Sequence, residues 1–106
     1  MNALTGQVIE TIRRHGYRVE WDDAPPHDGT TNLVRRTVTL STLMDGPRAL
    51  HVVTHELAHI VADEIGADTH DETLVTGMTI RFLASVALRL ADSVTVGPVL
   101  WNEESA

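Results

Sequence analysis

Residues 47–65, PRALHVVTHELAHIVADEI, decide how this chain is read. Leu50, Val53, Leu57, Ile60 and Val61 recur at helical spacing over a broad face. Asp45 precedes them as an N-cap, Pro47 suits a first turn where its missing N–H costs nothing, and Gly66 supplies the stop. The spacing predicts a helix over 47–65, apolar enough to pack centrally. Onto that helix the sequence puts His55, Glu56 and His59. Imidazoles at i and i+4 share a face and can close on one cation. Glu56, about 100° around the axis, reaches a water beside the cation instead. His51 extends the row, but three turns span about 12 Å, too far for three rings to meet one ion, so His51 reads as a rim residue, a group behind the ligands or an adventitious metal binder.

Upstream, Leu4, Val8, Ile9 and Ile12 predict an amphipathic helix over 3–15 that ends at Gly16, with Arg13, Arg14 and His15 suiting the negative end of its dipole. Tyr17, Val19 and Trp21 alternate with Arg18 and Glu20, the period of a half-buried strand ending at Asp22. Residues 22–31, DDAPPHDGTT, have neither periodicity nor apolar content and predict a loop with His27 exposed in it. Residues 33–40 are rich in β-branched side chains and predict a second strand, at a sheet edge where an extended peptide could pair with it. Downstream, Leu74, Met78, Phe82, Val86 and Leu90 predict a last helix over 70–91. Ser93 to Trp101 reads as a short strand or ordered tail, and Asn102 to Ala106 as a frayed end. The fold class that follows is α+β, with an N-terminal helix, a small sheet or β-hairpin, the histidine-bearing helix and a C-terminal helix in one domain over 1–106.

Bulk properties narrow the chemistry. A chain of 106 residues holds one core and no second lobe, so any cleft lies on the surface of one compact unit. Asp and Glu number 15 against 8 Lys and Arg, a net charge of −7 that disfavours a phosphate-binding surface and nucleic acid as partner. With no cysteine, a bound metal must use His, Asp or Glu. No basic region followed by an apolar run opens the chain and no apolar stretch reaches membrane-spanning length, which makes a cytoplasmic, membrane-free protein the expectation.

His55-Glu56-Leu57-Ala58-His59 has the H-E-x-x-H spacing of zinc metallopeptidases. A catalytic Zn2+ takes three protein ligands and leaves a fourth position to water, so one ligand remains to be found. His70, Asp63, Glu64, Asp68, Asp71 and Glu72 are the nearby candidates. Thr69 to Glu72 fits a capping box, which gives Glu72 a structural task and sets His70 in the first turn of the last helix, where the dipole favours a neutral imidazole. Ten residues between His59 and His70 allow the chain to turn at Gly66 and return, so His70 is the preferred third ligand.

H-E-L-A-H followed by a histidine at the next helix resembles the SprT-like and related minimal zincins. The match covers roughly Thr37 to Leu83, and residues 36–41 resemble the strand that runs along the substrate cleft of those families. The resemblance implies zinc on His55, His59 and His70, Glu56 as general base, and a protein or peptide substrate cut as by an endopeptidase. The chain departs from many relatives in having His70-Asp71 and then Leu74 where they have His-Gly and then Phe. It also lacks the zinc-ribbon cysteines of SprT proteins, so a DNA-directed role does not carry over. ImmA/IrrE-like peptidases take a glutamate from a later helix, which keeps Glu72 open beside His70. For oxyanion support only Tyr17 and Arg81 offer themselves. The alternative function is a zincin-fold binding or regulatory module with a structural or inactive zinc site; a coincidental motif on an ordinary α+β domain is a third reading.

Overall fold

The computed structural model describes residues 3–94, with side-chain surroundings as far as residue 85. The architecture is α+β: α1 (Ala3–Arg14), β1 (Arg18–Asp22), β2 (Gly29–Asn32), β3 (Thr37–Ser41), α2 (Gly46–Glu64) and α3 (Glu72–Val94). The predicted strand or tail beyond Val94 and the frayed end lie outside the described residues.

α1 buries Thr5, Val8, Ile9 and Ile12 along one stripe, the i, i+3, i+4, i+7 pattern of a helix laid on a core. It stops at Gly16, which takes φ +91°, a value open to a residue without Cβ, and β1 starts two residues on. The sheet order is β1-β3-β2: β1 runs parallel to β3, and β2 runs antiparallel to it on the other side.

Three expectations fail here. The predicted loop over 22–31 contains β2, and the predicted strand over 33–40 is in its first half a turn, with Arg36 at φ +52° and the Asn32 carboxamide accepting from Arg35 N at 2.9 Å. Val34 is 93% exposed, so its β-branched side chain reports no strand burial. Gly29, Thr30, Thr31 and Asn32 have no apolar alternation because an edge strand half open to solvent needs none; the backbone ladder to β3 holds it. β3 is the central strand, not an edge, and Val38 and Leu40 are fully buried. The edge beside α2 is β2.

α2 obeys its sequence signals. The Asp45 carboxylate accepts from Arg48 N at 2.9 Å, proline stands at the helix start, and Gly66 ends the helix at φ +77°, with Ala67 N–H donating back to the Ala62 carbonyl at 2.8 Å. Ala49, Val53, Thr54, Glu56, Ala58, Ile60 and Ala62 are all buried, because α1, α3 and β2 all pack on this one helix. The core joins Val8, Ile9 and Ile12 of α1 to Tyr17, Val38, Leu40, Val53 and Ile60. Each aliphatic side chain fully buried there stabilises the fold by about 1.5–3 kcal/mol.

α3 begins at Glu72, two residues later than predicted, and its cap differs. The Asp71 carboxylate accepts from Thr73 N at 3.1 Å and Leu74 N at 3.2 Å, so Asp71 rather than Thr69 is the N-cap. Thr69 and His70 sit in the preceding turn, where the Asp68 carboxylate accepts from His70 N at 2.9 Å.

Candidate metal centre

His55 and His59 stand one turn apart on α2 with ring centroids 4.8 Å apart and planes nearly perpendicular at 84°. Their Nε2 atoms are 3.2 Å from one another. The protons on the rings follow from the partners of the opposite nitrogens. His59 Nδ1 lies 3.0 Å from the Thr69 carbonyl oxygen, which can only accept, so Nδ1 carries a proton. The Thr69 hydroxyl, also 3.0 Å from Nδ1, donates instead to the His59 carbonyl at 3.2 Å. His55 Nδ1 lies 3.2 Å from Thr79 Oγ1, whose hydroxyl donates to the Val75 carbonyl at 2.8 Å and therefore accepts from His55. With both Nδ1 atoms protonated, two neutral rings aim Nε2 lone pairs at each other, an arrangement that only a cation between them, proton or metal ion, makes favourable. Two nitrogens at 2.0–2.1 Å from a tetrahedral zinc stand about 3.3 Å apart, which is the spacing found. Holding the second nitrogen of each ligand is also how metal-binding histidines are oriented.

Glu56 is 5% exposed, and the Thr31 hydroxyl donates to its Oε1 at 2.6 Å. This contact exists because β2 runs against α2, and it runs that close because position 29 is glycine: a Cβ there would lie 2.6 Å from Val52 Cγ1 and 3.1 Å from Glu56 Oε2. Glu56 and His55 form the wall between two open clefts. One, of about 390 Å³, is bordered by Thr30, Thr31, Leu33, His59, Thr69 and His70; the other, of about 500 Å³, by Pro25, Pro26, Asp28, Arg48, His51 and Val52. His27 and Gly29 border both.

The structure therefore brings His55, Glu56, His59 and His70 to one cleft, although for a different reason than the sequence suggests. His70 is exposed in the turn before α3, not in its first helical turn. Among the described residues no three His, Asp or Glu side chains stand close enough to hold an ion as they are, so His70 has to swing inward to serve. Neither Asp71, whose carboxylate caps α3, nor Glu72 borders either cleft. Glu64 is taken by His15, whose Nδ1 is 2.8 Å from Oε1. His51 is exposed at the border of the second cleft.

Neither proposed oxyanion group reaches the clefts. Arg81 is exposed on α3. Tyr17 is buried in the core with the Arg36 guanidinium 5.6 Å over its ring; burial pushes its phenol above the ordinary value near 10, Arg36 opposes that, and Asp63 and Glu64 add to it.

Sequence reasoning missed Thr31, Thr69 and Thr79 as the groups that hold the three motif side chains. No spacing rule could have found them, since each acts across a tertiary contact. Compared with protein-family models, with curated proteins and with solved structures, the chain matches none, so the functional reading stands on this geometry.

Proposed function

We propose that this chain is a zinc-dependent peptidase that hydrolyses a peptide bond of a protein or peptide substrate. The observation that carries the reading is the pair of Nε2 lone pairs at 3.2 Å with both Nδ1–H groups committed elsewhere, beside a carboxylate that is free of both rings. His55 and His59 would hold the ion together with His70 from the turn before α3. Zinc supplies Lewis acidity there, polarising a carbonyl and making hydroxide available near neutral pH.

The remaining chemistry belongs to the chain. Glu56 takes the proton of the attacking water and later delivers it to the leaving amine, and a buried carboxylate beside the cleft suits that task. Thr31 leaves it ready: by donating to Oε1 it fixes the carboxylate plane and leaves Oε2 for the proton. β2 offers an unpaired backbone edge beside Glu56, so an extended peptide can add to the sheet there, gaining affinity from main-chain hydrogen bonds with little side-chain preference.

A second reading, a binding or regulatory module with a structural or inactive zinc site, is favoured by one fact: only two of the would-be ligands are in contact among the described residues. Elemental analysis of purified wild type, His70→Ala and Glu56→Gln, with peptide hydrolysis in parallel, separates the readings. One zinc per chain, lost with His70→Ala and kept without activity in Glu56→Gln, supports the peptidase. Zinc in wild type with no hydrolysis of any unfolded protein offered supports the module, and no zinc after reconstitution overturns both.

A further inference from the structure

Four of the chain's six histidines, His27, His55, His59 and His70, border a single cleft. Three suffice for a catalytic zinc, whose last position belongs to water, whereas four protein ligands make a closed site of the structural kind. Resting on the peptidase reading above, we propose that His27 is a fourth histidine toward the ion, one that closes the site in the substrate-free protein and withdraws when a peptide strand adds to β2.

His27 is placed for this on both counts. It borders the clefts on either side of the His55–Glu56 wall, so its ring, like that of His70, needs only to turn inward to approach His55 and His59. Its imidazole has no hydrogen bond or ion pair with the described residues, and it is exposed, so the ring is not spent on holding the loop. The loop is held by its neighbours instead. The Asp28 carbonyl accepts from Ser41 N at 2.8 Å, the Asp28 carboxylate pairs with Arg48 on α2, and Pro25 and Pro26 limit the backbone before it. His27 is thus an exposed, unpaired side chain on a fixed stem. Gly29, Thr30 and Thr31 of β2 border the same cleft, so a peptide strand paired there and an inward His27 ring compete for one space. Substrate binding and opening of the site become one event.

The test uses the full chain loaded with cobalt(II), whose visible spectrum reports its ligands, with azide as a probe for a position open to exchange. Wild type should keep its spectrum on adding azide, whereas His27→Ala and His27→Gln should change theirs. Both variants should also lose about tenfold or more in zinc affinity by chelator competition while hydrolysing peptide faster than wild type. A wild-type spectrum that answers azide as the variants do, or variant zinc affinities within about twofold of wild type, overturns the proposal. Wild type that takes up neither cobalt nor zinc overturns the peptidase reading itself, and so the two failures are told apart.

Discussion

α2 takes part in two histidine–glutamate sites, and the two are built in opposite ways. Near its C-terminal end Glu64 meets His15, in the turn after α1, with Nδ1 at 2.8 and 2.9 Å from the two carboxylate oxygens. Each group satisfies the other, and with side chains 31% and 40% exposed the pair is screened by water. At mid-helix Glu56 bonds Thr31, His59 bonds Thr69 and His55 meets Thr79, so each motif side chain is held by a threonine from elsewhere and none is paired with the carboxylate. A pair that satisfies itself is a strut between helices. A set held from behind, with its free atoms turned to a cleft, is left open to a ligand.

The largest test of this contrast swaps the two glutamates. Glu56→Gln should lower peptide hydrolysis by about 10²- to 10⁴-fold at unchanged zinc content, the range for loss of a general base, while Glu64→Gln leaves the rate within the scatter of wild type. Comparable losses in both would erase the distinction. Next come the threonines behind the rings: Thr69→Val and Thr79→Val should each weaken zinc binding by about 10- to 100-fold in chelator competition, as loss of an outer partner does elsewhere.

The close approach of β2 is tested by Gly29→Ala, whose methyl meets Val52 and Glu56; thermal or denaturant melts should show a loss of about 1–3 kcal/mol. At the strut end, His15→Ala should cost less than about 1 kcal/mol and leave metal binding untouched, since the pair is partly exposed.

The smallest effect concerns Tyr17, the chain's only tyrosine, near Asp63 and Glu64. Its folded pKa is raised, so the contribution of the neutral phenol is complete below its ordinary value near 10 and is lost as pH climbs through the raised folded value. An absorbance titration should place phenolate formation above that of the unfolded chain, and Tyr17→Phe should flatten the alkaline fall in stability.

The helices were legible because their signals are local. Asp45, Pro47 and Gly66 bound α2 within one or two residues of their predicted roles, since a cap acts on amides only three residues away. β1 was legible too, ending at Asp22 as its alternation predicts, but β2 and the start of β3 were not, because what makes β2 a strand is β3 beside it and what makes residues 33–36 a turn is the antiparallel return of the chain. A capping box over 69–72 also misled: Asp71 serves the cap more directly, which releases Thr69 to hold His59.

Sequence by itself determined the α+β class, the motif helix and the sharing of one helix face by His55 and His59 with Glu56 about 100° around from His55, because helical periodicity is a property of neighbouring residues. Tertiary structure alone decided which atoms of that set are held and which are left free. Thr31, Thr69 and Thr79 reach the motif from 25, 10 and 24 residues away, and hydrogen bonds across such distances in sequence exist only once the core has closed around α2.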